Sequence, residues 1–277
     1  MKWEISAPAG NLEHVKTALE LGAQALYAGP RGLSGRPPMA EMSFAQLEKA
    51  RELTSGAGVK LYLAVNANCP WGKEAETRSR LRSLLELKPD ALIIGDAGIL
   101  KLVKEFPAPP PLHASTFLGI YNAAGAAWAL KQGFSRLVMN TGLTLPETAA
   151  ITQAVPGLVY EAIAWGGICF NDNHRCNLPH GLRSRREARQ TGKFQPEKFS
   201  REAAFCQLRT ELWEKGRILN SGRLLLGKML DLSHHLPELI ASGITCFKIA
   251  GRERETAFVA KAVQALKRGL AELELSR

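Results

Sequence analysis

No stretch of this sequence approaches the roughly 18 consecutive apolar residues that a membrane-spanning helix needs, so no span is expected. No apolar stretch follows Lys2 near the N-terminus either, which argues against a secretory leader and for a soluble, cytoplasmic protein. Cysteine is sparse, with five in 277 residues and no Cys-x-x-Cys pair. In a chain of cytosolic character, five cysteines argue against a disulfide framework, and reduced thiols there are usually buried, catalytic or metal-bound. The sequence after the first strand lacks a glycine-rich dinucleotide fingerprint, which weakens the case for an open doubly wound sheet. Acidic residues are in deficit, 26 against 36 Lys and Arg, giving a net charge of +10 and a pI near 9.5. That balance suits an anionic partner such as nucleic acid, a phosphorylated metabolite or an acidic lipid surface, although a basic protein without one has the same composition.

A hydrophobic content of 45% is enough for a large core. Short apolar strands alternate with amphipathic helices, the signature of a parallel sheet. Strands are predicted at Lys2–Ser6, Ala25–Ala28, Lys60–Val65, Ala91–Ile94, Leu112–Ser115, Arg136–Met139, Val159–Ala164 and Ile244–Ile249. Helices are predicted at Asn11–Leu21, Phe44–Leu53, Glu74–Leu87, from Gly98, at Ala123–Lys131 and Pro146–Ala154, and from Glu253 to Ala271. Eight strands are the number that closes a TIM-type (β/α)8 barrel, so residues 1–277 are read as a single α/β barrel domain. The alternation breaks over residues 165–242, an insertion that leaves from the C-terminal rim, where barrel enzymes keep their sites. Residues 183–201 within it hold seven Lys or Arg against Glu187 and Glu197. Arg223–Asp231 is expected to form a short strand or helix, and His234–Ala241 a helix.

Three groups of residues could carry chemistry. Cys169, Cys176 and Cys206 lie in the insertion, and Cys246 lies in the last strand. Thiolates are soft ligands for an iron–sulfur cluster or for zinc, and buried inert thiols are the bland alternative. Cys69 on the third strand's loop is a lesser candidate for the fourth ligand, and His174, His234 and His235 are lesser still. His113 and Ser115 end the fifth strand, and residues two apart share a strand face, so both point the same way. Asn122 follows them, ahead of the next helix. No carboxylate completes a triad with His113 and Ser115, so binding a polar substrate is the better reading than hydrolysis. Lys248 and Arg252 bracket a Gly turn before the last helix, an arrangement suited to a carboxylate or phosphate.

Ala7-Pro-Ala-Gly-Asn, Gly22-Ala-Gln-Ala-Leu-Tyr, His113-Ala-Ser-Thr, Gly166-Gly-Ile-Cys…Arg175-Cys, Leu236-Pro-Glu-Leu-Ile and Phe247-Lys-Ile-Ala-Gly-Arg together resemble the collagenase-like peptidase U32 family. The resemblance implies the barrel and an oxygen-independent hydroxylation of tRNA, ribosomal RNA or, in the UbiU- and UbiV-like short members, a ubiquinone precursor. Those short members imply a heterodimer with a related family member and a four-iron, four-sulfur cluster on four cysteines, here Cys169, Cys176, Cys206 and Cys246. The chain's length favours a small aromatic ring, and its basic charge favours RNA. A collagenase-like hydrolase and a non-catalytic partner subunit are the alternative readings. The sequence departs from the family at Asn140-Thr-Gly, where an Arg-Glu pair is usual, at Ser233, where a cysteine is usual, and at Ala250, where an acid is usual.

Overall fold

The computed structural model describes residues 3–36, 40–168, 209–222, 224 and 229–275. Strands β1 (Glu4–Ala9), β2 (Ala25–Ala28), β3 (Lys60–Val65), β4 (Ala91–Ile94), β5 (Leu112–Ala114), β6 (Phe134–Val138) and β7 (Val159–Gly167) follow in order. They alternate with α1 (Leu12–Glu20), α2 (Phe44–Gly56), α3 (Glu74–Glu86), α4 (Ala97–Lys104), α5 (Ala123–Lys131) and α6 (Leu145–Ala154). A hairpin of β8 (Thr210–Glu214) and β9 (Arg217–Gly222) comes next, then β10 (Met229–Asp231), α7 (Leu236–Ala241), β11 (Cys246–Ala250) and α8 (Thr256–Leu275).

Strands β1 to β7 and β11 form a closed, eight-stranded parallel barrel. β11 pairs with both β7 and β1, and β6 pairs with β7. The period-two alternation of each strand produces two environments. In β3, Leu61, Leu63 and Val65 join the large core shared with the helices, whereas Tyr62 and Ala64 join a small cluster inside the barrel. Helix starts are fixed by side chains that satisfy otherwise orphaned N–H groups. The Asn11 carbonyl accepts from His14 N at 2.9 Å, and Ser43 with Gln46 forms a reciprocal capping box before α2.

The first seven predicted strands and their helices match the observed elements to within a few residues. The last strand begins at Cys246, two residues later than predicted, although Thr245 N already donates to Tyr160 O as the chain enters the sheet. Of the expected strand or helix at Arg223–Asp231, Met229–Asp231 is a strand, antiparallel to β7. The β8–β9 hairpin was not anticipated. Lys215 and Gly216 both have positive φ, the two-residue turn that suits a right-twisted hairpin.

Candidate functional site at the barrel mouth

TIM barrels are usually filled with branched apolar side chains. This one instead carries charge on alternate, inward positions of five strands. Arg136 on β6 donates through Nη1 to Glu4 Oε1 on β1 and to Glu161 Oε2 on β7, each at 2.6 Å. Glu161 Oε1 accepts from Lys248 Nζ on β11 at 2.7 Å, and Glu4 Oε2 accepts from Lys60 Nζ on β3 at 2.9 Å. The Tyr62 hydroxyl donates to Glu4 at 3.0 Å. These residues form one ladder from the half-exposed Lys60 at the strand starts to Lys248 near the strand ends.

The ladder sets the ionisation of its members. Burial opposes the Glu161 charge, but Lys248 and Arg136 outweigh it and hold the carboxyl at about 2. Glu4 is also buried, and its bonds to Arg136 and Lys60 bring it below the usual carboxylate range. His113 is pushed down to about 3, first by burial and then by the Arg136 charge, so its ring is neutral. Its Nδ1 has no hydrogen-bond partner among the described residues, and its edge packs against Tyr62 at 4.7 Å between ring centroids.

Above the ladder the barrel opens into a mouth continuous with solvent. Lys248, Arg252 and Arg36 are its cations, and Asn66, Ser115, Thr116, Tyr27 and Phe117 supply polar and aromatic surface. Lys248 Nζ lies 3.8 Å from the Tyr27 ring centroid, and the Arg252 guanidinium lies 5.4 Å from it, both within cation–π range. Arg252 Nη2 donates to Ser34 Oγ at 2.9 Å. Gly29 makes this seat possible: a Cβ there would stand 2.8 Å from Ser34 Oγ and would collide with the Arg252 guanidinium.

Of the residues singled out in the sequence, Ser115, Lys248 and Arg252 meet at the mouth. His113 lies one inward position below, among the ladder residues. Asn122 does not join them. It is exposed, and its carbonyl caps α5 by accepting from Gly125 N at 2.9 Å. Ser115 Oγ takes bonds from Phe117 N at 3.3 Å and Asn66 Nδ2 at 3.5 Å, not from His113, so no Ser–His nucleophile is assembled.

Cys169, Cys176, Cys206, His174 and the basic run at 183–201 lie outside the described residues. Cys246, named with them as a ligand, stands at the base of the barrel. It begins β11 in register with Glu161, whereas Cys169 follows Gly167 at the far end of β7. Six residues of strand separate these levels by about 20 Å. Burial also pushes the Cys246 thiol up to about 12, which disfavours the thiolate that binds metal. Cys69 reaches the C-terminal rim, but its Sγ is engaged with Thr77 Oγ1 at 3.5 Å on the outer side, against α3. His234 and His235 are exposed beside α7. Among the described residues no group of three or more His, Cys, Asp or Glu could hold a metal ion. Of the cysteines implied by the resemblance, Cys246 is the one among the described residues, and it stands at the base of the barrel.

Sequence reasoning missed Glu4, Arg136, Glu161, Tyr27, Arg36, Asn66 and Phe117. The first three had a usable signal: each is a lone charge at an inward position of an otherwise apolar strand, which a barrel cannot leave unpaired.

Known proteins place this architecture. The tRNA hydroxylation protein P of Helicobacter pylori is 28% identical over 268 residues, covering 93% of this chain and 62% of that protein. The 23S rRNA 5-hydroxycytidine synthase of Escherichia coli is 28% identical over 258 residues, covering 92% of this chain and 37% of that protein. The chain thus spans less than two thirds of the curated relatives it matches. A solved U32 peptidase structure superposes with a TM-score of 0.56 at 13% identity, covering 92% of this chain and 95% of that one, a likeness of fold. The model of peptidase family U32 matches residues 10–276, and the chain belongs to that family.

Proposed function

We propose that this chain takes part in the hydroxylation of a base in tRNA or ribosomal RNA, with the base presented to the barrel mouth. The mouth's lining carries this reading, because it sets three cations and no carboxylate around a space that also offers aromatic and hydrogen-bonding surface. RNA supplies both an anionic backbone and a flat ring, and a duplex or loop base must leave its stack before chemistry can reach it. The net charge of +10 supports the same partner, as do the printed activities of the tRNA- and rRNA-directed relatives.

In this reading the protein binds and orients. Glu161 holds Lys248 at the mouth, Gly29 and Ser34 seat Arg252, and Ile93, Val138 and Ile163 complete the lining. The iron–sulfur part rests on Cys169, Cys176 and Cys206, and a bound cluster would supply electron transfer. Iron and sulfide analysis of anaerobically purified protein, with Cys169→Ala beside it, tests that part.

Two measurements test the RNA reading. Mass spectrometry of nucleosides from tRNA and 23S rRNA should show a hydroxylated base lost when the gene is deleted and restored by its return. Filter binding of the same RNAs should weaken steeply between 50 and 200 mM salt. An unchanged nucleoside profile together with salt-independent binding refutes the proposal.

A further inference from the structure

The mouth has two unlike halves. Lys248, Arg252 and Arg36 stand on the side built by β11, β2 and the loop after β2, while Asn66, Ser115 and Phe117 line the side built by β3 and β5. The two deep cations differ in their partners. Lys248 has Glu161 at 2.7 Å. Arg252 is only 4% exposed, and no carboxylate forms an ion pair with it among the described residues. Its Nη2 reaches the neutral Ser34 hydroxyl, and its Nη1 has no acceptor. A guanidinium remains protonated under all ordinary conditions, and Glu253 and Glu41 act on this one only from beyond ion-pair distance, so its burial costs stability that a serine does not return. An anion in the mouth would supply the missing charge.

The opposite wall suits a different part of the same ligand. Phe117 presents apolar ring surface. Asn66 is held in place by Gly35 N, which donates to its Oδ1 at 2.9 Å, and its amide and the Ser115 hydroxyl lie together. Cations on one side, with an aromatic surface and a fixed polar edge on the other, match a flat, hydrogen-bonding ring joined to an anion.

Resting on the RNA reading above, we propose that the mouth is a single-nucleotide pocket. One phosphate of the RNA lies against Arg252 and Lys248, and its base lies on Phe117 with an edge toward Asn66 and Ser115. This assigns Arg252 as the residue that distinguishes a nucleotide from a nucleoside, and Phe117 as the one that binds the base.

Titration calorimetry on the full chain tests this with cytidine 5′-monophosphate, cytidine, inorganic phosphate and benzoate. The monophosphate should bind at least tenfold more tightly than any of the other three. Arg252→Met should bring its Kd to that of cytidine while leaving the melting temperature unchanged or higher, since the unpaired charge is gone. Phe117→Ala should weaken the monophosphate and cytidine alike, by about tenfold. Equal binding of cytidine and its monophosphate overturns the proposal, as does a phosphate advantage that survives Arg252→Met. A marked fall in melting temperature for Arg252→Met makes the residue structural and also overturns it. Benzoate matching the monophosphate, with the same Arg252 dependence, assigns the pocket to a small carboxylated ring instead. The nucleoside profile of the deletion strain decides the RNA reading separately, so failure of one is distinguishable from failure of the other.

Discussion

Lowering the pH from 7 to 5 should cost this protein stability through His113. The ring is buried inside the barrel beside the Arg136 guanidinium, and both burial and that charge keep it neutral down to about 3. An unfolded histidine titrates near 6.5, so at pH 5 about 97% of it is protonated while the folded one is almost wholly neutral. The unfolded state then binds more protons, and stability falls as pH falls. The contribution is fully present above about pH 6.5 and is lost progressively toward the folded value. Linkage puts the loss between pH 7 and pH 5 at about 2 kcal/mol. Urea unfolding of the wild type and of His113→Gln at pH 7, 6 and 5 isolates the effect. His14, also lowered by burial, contributes with the same sign in both proteins and cancels in the difference. The wild type should lose about 2 kcal/mol more than the variant over this range. Parallel pH dependences, or a wild type that gains stability toward pH 5, would refute a neutral His113 on the ladder.

Three further outcomes follow from the same geometry. Glu161→Gln leaves Lys248 without its ion-pair partner and Arg136 with Glu4 alone, and should cost about 3 kcal/mol or more in urea unfolding at pH 7; the wild-type contribution, present above about pH 4.5, should vanish as pH falls toward 2. Gly29→Ala should unseat Arg252, costing about 1–3 kcal/mol by thermal or urea melts and lowering cytidine monophosphate affinity with it. Ser43→Ala removes one half of the α2 capping box and should cost about 1 kcal/mol in urea unfolding.

The barrel was legible because its evidence is local. Each strand, such as Leu61-Tyr-Leu-Ala-Val, declares itself by a few apolar residues between turn signals, and each helix by its cap. Lys248, Arg252 and Ser115 were legible for a related reason: they end strands, and strand ends face the mouth in a parallel barrel. The ladder was not legible, because Glu4, Arg136 and Glu161 are brought together only when β6, β7, β11 and β1 close on one another. Cys246 misled because a residue within a strand sequence can stand at either end of the barrel, and only the β7–β11 register puts it at the base. Asn122 misled because a helix cap and a substrate-binding amide look alike in sequence. Chain length favoured a quinone-type ring, but length carries no chemistry of its own, and the relatives matched over most of this chain include ones named for tRNA and rRNA.

The ladder and the mouth are parts of one electrostatic arrangement. Counted from Lys60 through Glu4, Arg136 and Glu161 to Lys248, the interior holds three cations and two carboxylates. Each carboxylate is saturated by two cations, and neither faces outward to soften the mouth. Arg252 and Arg36 then add charge at the opening with no acid in the lining. Ala250 contributes to this imbalance, since it lines the mouth where a carboxylate at the same position would stand between Lys248 and Arg252 along the chain. A cleft lined by one sign of charge with low-dielectric walls draws the opposite charge in and raises its local concentration. The buried ladder therefore does more than fill the barrel. It uses Glu161 to hold Lys248 in place, so that the described lining of the mouth carries Lys248, Arg252 and Arg36 and no carboxylate, the setting into which an anionic ligand is proposed to fit.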